Sequence, residues 1–482
     1  MKATNLLWIM SDEHSKRVLG CYGHSMIRTP NLDRLAARGT RFTNAYTNCP
    51  ICVPARASFA TGRYVHQHRC WDNAIAYDGR LPSWGHRLMA QGHRVTSIGK
   101  LHYVDSDPQR NGFGEEILPL HIVNGVGDLL GLIRDELPRR PGSARLGPEA
   151  GRGESEYTRY DRSIVDETVQ WLRGEAQRRS DKPWAVYVGF VSPHFPLIAP
   201  PEFYDLYSED AVPWPDMYEE RPQHPFTDAM RKCLCFDEPF DAPMVRRAVA
   251  AYMGLVSFLD DNIGKILRAL EETGLAEHTR VVYTTDHGDN LGTRGMWGKS
   301  TMYEESAGIP LMMAGPDVPA GNVCPTPVSL VDGFPTFVQG LGAKPDPADA
   351  SLPGHSLLDI AQGYVPRRTL LSEYHAAGAI TASYMIRHRQ YKYIHYVGMP
   401  PMLFDLERDP CERKDLGRDP AYASVVRECE AALRAIVDPE AVDAAARADQ
   451  HAHIEKHGGV EAILKRGTFR YSPPPGVKAS YF

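Results

Sequence analysis

The sequence predicts an α/β sandwich, a large and mostly parallel sheet between layers of helices, followed by a small antiparallel sheet with one helix. Three observations predict it. Four near-continuous apolar runs, residues 6–10, 95–98, 185–191 and 281–285, lack the alternation of a half-exposed strand, so both of their faces are covered. Helical periodicity fills the intervals between them, as in a parallel sheet with crossover helices. After about residue 365 the texture changes to short strand-like runs.

Each apolar run stops at polar residues. Ser11-Asp12-Glu13 follows the first, Gly99-Lys100 the second, Ser192-Pro193-His194 the third and Asp286-His287 the fourth. In such sheets ligands bind beyond the carboxyl ends of the strands, so four distant segments deliver polar groups to one edge. Between the strands, residues 163–173 place Ile164, Val165, Val169 and Leu172 on one stripe, and residues 244–273 do the same with Val249, Tyr252, Val256, Ile263 and Leu270 before Gly274 stops the helix. The stretches 105–155 and 199–243, rich in Pro, Gly, Arg and aromatic residues, read as long loops that shape a pocket. Residues 1–365 are taken as the catalytic domain and 366–482 as a C-terminal subdomain. In the latter, runs at 380–386 and 391–397, a turn at Gly398-Met-Pro-Pro401 and the run 403–406 precede a helix near 420–436. The tail from Arg470 to Gly476 is too proline-rich to be helical and is expected to pack on a neighbouring subunit, the basis for a homo-oligomer.

Composition narrows the function. With 482 residues, 43% hydrophobic and 24% charged, the chain has the make-up of a globular protein, and a net charge of -6 leaves no nucleic-acid footprint. Any anion site is therefore local. No run is long enough to span a membrane, and the N-terminal apolar stretch is too short for a signal peptide, which points to the cytoplasm. Nine scattered cysteines, an odd number, do not form a disulfide framework and fit a reducing compartment.

Cys52 stands in the run Cys52-Val-Pro54-Ala-Arg56. Pro54 suits the first turn of a helix with Cys52 at its mouth, and Arg56 falls four residues on, on the same face. A helix N-terminus beside a guanidinium suits a sulfate or phosphate ester. Two plainer readings stand beside this one: a buried cysteine next to a helix-starting proline, and Cys49-x-x-Cys52 as a redox or metal half-site.

With Ala57-Ser58 and Thr61-Gly62-Arg63, this run resembles the signature of the sulfatases, in the alkaline phosphatase superfamily. The resemblance implies an alkaline-phosphatase-like sandwich. It also implies that a formylglycine-generating enzyme oxidises Cys52 to formylglycine, whose hydrated aldehyde attacks a small-molecule sulfate ester. Other positions match in family order. Asp12, Asp286 and His287 resemble the ligands of one divalent cation, Ca²⁺ first with Mn²⁺ or Mg²⁺ as alternatives. Glu13 stands where many sulfatases have a second Asp. The Asp286-His287 pair is similar to the choline-sulfatase and phosphonate-hydrolase branches. Gly99-Lys100-Leu-His102 resembles the element in which the lysine binds sulfate and the histidine serves the hydrate as base. His194 matches the histidine that contacts sulfate and the leaving oxygen, Lys299 the second sulfate-binding lysine, and Asn73 a substrate-contacting asparagine. Residues 403–412 resemble a strand-turn of the small C-terminal subdomain.

Locally, each match has a structural alternative. Asp12 could cap a helix, Asp286-His287-Gly288 could form a turn, Lys100 and His102 could face solvent, and Pro193 and Pro196 could mark only a rigid turn. Lys100 and His102, two residues apart, would share a side of an extended segment. Phosphonate monoester hydrolases carry Tyr and Thr in that element, so Lys100 and His102 favour sulfate esters, with phosphonate or phosphodiester hydrolysis as the alternative.

Overall fold

The computed structural model describes residues 2–178, 180–221, 224–365 and 368–481. Eight strands form the large sheet: β1 (Asn5–Asp12), β2 (Gly39–Phe42), β3 (Val95–Lys100), β4 (Glu115–Leu120), β5 (Ala185–Pro193), β6 (Thr279–Thr285), β7 (Leu311–Ala314) and β8 (Asn322–Cys324). Their order is β8-β2-β7-β6-β1-β5-β3-β4, and only β7 runs against its neighbours. Central β1 pairs in parallel with β5 on one side and β6 on the other, so the polar residues that end all three emerge together.

The apolar runs have no alternation because both faces are buried. Trp8 and Met10 face a core with Phe59 of helix α2 (Cys52–Thr61) and Phe334 and Phe337 of α5 (Gly333–Gly340). Leu7 and Ile9 face α1 (Pro30–Ala37), α3 (Glu156–Gln177) and α4 (Ala242–Glu272). Asp241 caps α4 by accepting from the Met244 amide at 2.8 Å, and Gly274, with φ of 72°, ends it.

The small sheet is antiparallel, β9 (Leu370–Tyr374), β10 (Ser383–His388), β11 (Tyr391–Tyr396) and β12 (Met399–Asp405) in that order, and α6 (Ala423–Arg434) lays Cys429 and Leu433 on it. The chain ends with α7 (Pro439–Lys456), α8 (Gly459–Arg466) and an extended tail. The boundary expected at 365/366 touches Pro366, outside the described residues.

Several expectations are corrected. The stretch 105–155 is not all loop, because β4 extends the main sheet at its edge, and 199–243 holds a helix, Pro225–Cys233. Pro400 and Pro401 belong to β12 rather than to a turn. They are tolerated there because β12 is an edge strand with one side free of ladder bonds. The start of the tail lies on its own chain, where Tyr157 donates to the Ser472 carbonyl at 2.7 Å and the rings of Tyr157 and Tyr471 are 4.8 Å apart, while residues 475–478 are exposed. No helix among the described residues is long and apolar enough to cross a membrane.

A buried ionic cluster ties the small sheet to the segment that follows β6. Lys392 of β11 lies 2.7 Å from Glu304 and 2.9 Å from Glu412, and Arg294 pairs with Glu305 at 2.9 Å. Removing one member strands the others without water. We expect Lys392→Met to lower the free energy of urea unfolding by about 3–5 kcal/mol. By contrast Arg434→Ala, which breaks exposed pairs to Glu430 and Glu440, should change it by less than about 1 kcal/mol.

Candidate active site

Cys52 opens α2, whose ten residues are all buried. No side chain of the preceding residue caps this helix; instead Asn73 Oδ1 accepts from the Val53 amide at 3.1 Å. Alanines at 55, 57 and 60 keep the helix thin enough to lie against the sheet, and its mouth meets the ends of β1 and β6. Cys52 Sγ is 3.6 Å from Asp12 Oδ1 and 3.2 Å from His287 Nε2. The ligand-type atoms of Asp12, Cys52, Asp286 and His287 all lie within 4.8 Å of one another.

Arg56 explains how two carboxylates stay so close. Its Nε donates to Asp286 Oδ2 at 2.8 Å, its Nη2 to Asp12 Oδ2 at 3.2 Å, and its Nη1 to the Lys100 carbonyl and the Tyr187 hydroxyl. The outer oxygen of each carboxylate is thereby occupied, while Oδ1 of Asp12 and of Asp286 lie 3.8 and 3.6 Å from His287 Nε2, the latter also accepting from the His287 and Glu13 amides. This corrects the expectation that Arg56 offers its fork to the oxyanion. At 1% exposure it does not line the cavity; it is a positioning residue beneath it. His287 is oriented in the same way: its Nδ1 sits 3.0 Å from the Gly288 carbonyl, which assigns the proton to Nδ1 and a lone pair to Nε2. Gly288 is required here, since a Cβ would stand 2.0 Å from the Glu305 carbonyl oxygen.

The remaining residues surround Cys52. Lys299 Nζ is 3.3 Å from its sulfur and 3.1 Å from Glu13 Oε2, and Lys100 Nζ is 2.5 Å from Asp12 Oδ2. His194 gives Nδ1 to the Phe195 carbonyl at 2.6 Å and turns Nε2 toward Glu13 Oε2 at 3.3 Å. His102 lines the cavity, and neither ring nitrogen has a protein partner. Strand alternation is not what aims Lys100 and His102: Gly99 and His102 both have positive φ, 95° and 59°, and the strand end coils. Gly99 is needed there because a Cβ would meet the Gly189 carbonyl oxygen at 2.3 Å.

Electrostatics follow from burial and charge. Burial alone would raise Asp12, but Lys100, then His194, Lys299 and Arg56, hold it well below the usual carboxylate range. Glu13 has less compensation, and burial pushes it up to about 7 despite Lys299; its Oε1 is buried without a donor. Burial, with Asp12 second, pushes the Cys52 thiol up to about 12, a poor state for a thiolate nucleophile. All nine cysteines are free, so Cys49 and Cys52 form no disulfide.

This arrangement, a helix mouth carrying Cys52 over paired carboxylates with two lysines and two histidines, can hold a small tetrahedral oxyanion. The chain is matched by the family model described as Sulfatase over residues 4–343. The chain belongs to the sulfatase family. It is therefore a sulfuric ester hydrolase, and the model described as N-sulphoglucosamine sulphohydrolase, C-terminal, matches residues 292–438. A choline-sulfatase of Rhizobium meliloti (strain 1021) is 33% identical, covering 99% of this chain and 94% of that protein. Arylsulfatase K of Danio rerio is 28% identical over 90% of this chain and 84% of that protein. In fold, the phosphonate monoester hydrolase of Agrobacterium radiobacter superposes with a TM-score of 0.71 at 24% identity, covering 93% of this chain and 96% of that one. A structure in complex with its substrate D-glucosamine-2-N,6-O-disulfate superposes at 0.70 with 22% identity, over 91% and 99%.

Within this sulfatase-family cavity, of about 1150 Å³ including its mouth, the structure adds residues that sequence reasoning missed. Asp128, Arg140 and Leu146 come from the stretch 105–155, Tyr157 from α3, Leu234 and Phe236 from the stretch 199–243, and residues 468–472 from the tail. Only the first and third groups had a signal, the length and aromatic content of the stretches. Nothing in the tail beyond its prolines pointed to the cavity.

Because Arg56 sets the direction of both carboxylates, Arg56→Lys should keep the charge but lose the fork. We expect divalent-cation binding, measured by calorimetry, to weaken by about 10–100-fold while the far-UV circular dichroism is unchanged.

Proposed function

We propose that the chain hydrolyses sulfate monoesters through a formylglycine formed at residue 52, beside one divalent cation, Ca²⁺ ahead of Mn²⁺ or Mg²⁺. Asp12, Asp286 and His287 would hold the cation. The observation that carries this reading is the inner face of the cluster: Asp12 Oδ1, Asp286 Oδ1 and His287 Nε2 converge near Cys52 Sγ, and the other side of each group is already engaged. Oxygen-rich donors with one imidazole suit a hard cation and also admit Mn²⁺. Glu13, with an orphaned Oε1 beside the cluster, and His194 form a second trio with Asp12. When bound, the cation supplies Lewis-acid activation, and hydrated formylglycine supplies a hydroxyl nucleophile in place of a thiol.

The chain's own residues supply the rest. Lys100 and Lys299 place two positive charges beside residue 52, where the non-bridging sulfate oxygens gain charge. His194, its Nδ1 fixed by the Phe195 carbonyl, presents Nε2 to the departing alcohol. Burial and Lys299 hold it well below its ordinary value, and an arriving sulfate anion raises its proton affinity. His102, with both ring nitrogens free, is the base for the proton released at residue 52. Asn73 lines the cavity while its oxygen caps α2. Arg56 and the buried carboxylates exclude water from the floor.

Maturation by a formylglycine-generating enzyme and the preference for sulfate over phosphonate esters belong to the same proposal. Lys100 and His102 at the cavity floor favour sulfate. Mass spectrometry of the peptide that spans residues 48–63 should show the aldehyde at position 52, and kcat/KM should be higher for an aryl sulfate than for the matched phosphonate monoester. An unmodified Cys52 together with a fully active Cys52→Ala variant would overturn the nucleophile; dominant phosphonate turnover would overturn the substrate class.

The pH dependence tests His102. Burial, then Lys100 and Arg56, hold it well below its ordinary value of 6.5, so it stays neutral and able to accept a proton down through that pH. The acid limb of kcat that belongs to it should therefore lie below pH 6.5, and His102→Ala should remove that limb and lower kcat by about 10²–10⁴-fold.

A further inference from the structure

The cavity that holds residue 52 is also lined by two arginines with no part in the chemistry above. Arg470, in the tail, pairs through Nη1 with Glu149, and its Nε and Nη2 are buried with no protein acceptor. Those two N–H groups lie along one edge of the guanidinium, the side-on fork that takes both oxygens of an oxyanion. Arg140 Nη2 donates to Asp128 Oδ2 at 2.6 Å, and its Nη1 is likewise buried without an acceptor. Both side chains line the cavity that holds Cys52, Lys100 and Lys299.

The surrounding charges do not balance. Glu149 is shared with Arg145, 2.5 Å away, so Asp128 and Glu149 face three guanidinium groups, Arg140, Arg145 and Arg470. Against burial, Asp128 holds Arg140 up, whereas burial followed by Arg145 pushes Arg470 down, as expected of a cation short of counter-charge. Buried charged donors left unmet are costly, and such positions are filled by a partner. Leu146, Phe236 and Trp297 line the same cavity and offer an apolar surface for the body of a ligand.

We propose that Arg140 and Arg470 form a second anion subsite, so that the preferred substrates are sulfate esters whose alcohol portion carries another oxyanion, a carboxylate or a second sulfate. This rests on the sulfatase reading of the site and deepens it. The two guanidinium groups repel a quaternary ammonium group, although the same cavity also carries aromatic rings, Tyr157, Phe236 and Trp297 among them.

The test compares kcat/KM for phenyl sulfate, 4-carboxyphenyl sulfate, 1,4-phenylene disulfate and choline sulfate. We expect wild-type protein to prefer one of the two dianionic esters over phenyl sulfate by about 10-fold or more, and the favoured member distinguishes carboxylate from sulfate. Arg470→Ala and Arg140→Ala should bring that ratio close to one, and Arg470→Lys, with charge but no fork, should fall between. Calorimetric binding of 4-hydroxybenzoate against phenol reads the subsite without turnover: a preference for the acid that Arg470→Ala abolishes supports it. Failure to hydrolyse phenyl sulfate would count against the sulfatase chemistry, whereas the binding comparison still decides the subsite. A ratio unchanged by both alanine variants, equal binding of acid and phenol, or preferred turnover of choline sulfate would overturn the proposal.

Discussion

The site depends on one buried contact, the guanidinium of Arg56 set between Asp12 and Asp286. Two carboxylates from adjacent strands would repel each other in a medium with no water, and the planar fork of an arginine answers both at once. Because it takes only one oxygen from each, it also decides which oxygens remain for a cation. The cost of burying this charge is met by five contacts: the two acids, two carbonyls and the Tyr187 hydroxyl. The third donor group thus ties the base of α2 to β3 and β5, and the position of residue 52 inherits the rigidity of three strands.

The layered fold was legible because its signal is strong and repeated. Apolar runs such as residues 6–10 and 185–191 are covered on both faces, and the long helix Ala242–Glu272 carries an unbroken stripe, its cap and its stop signal. Short elements and those at the sheet edges were not legible. Gly39–Phe42 and Asn322–Cys324 have too few residues to show a period, and Glu115–Leu120 sits in a Pro- and Gly-rich context that conceals it.

For the site, spacing and strand ends pointed to residues that the fold brings together around Cys52, but not to the way each is oriented. Arg56 shares a helix face with Cys52 as expected, yet it points down into carboxylates instead of up at a ligand, because a fully buried guanidinium goes where the negative charge already is. Lys100 and His102 reach the cavity through two residues with positive φ, a path that alternation along a strand does not describe. Arg140 and Arg470 were invisible for another reason: 330 positions separate them (470 less 140), and only the folded chain brings both to one cavity.

The tail has a consequence for the order in which the enzyme becomes complete during synthesis. All residues of the floor, from Asp12 to Lys299, leave the ribosome well before residues 468–472, which close one side of the cavity. A chain that stops short, or one clipped near its C-terminus, would keep the reacting groups and lose a wall. The cavity wall is thus drawn partly from stretches between Asp12 and Lys299 and partly from the far end of the polypeptide, so a change in length at that end would reshape the cavity without touching the residues around Cys52.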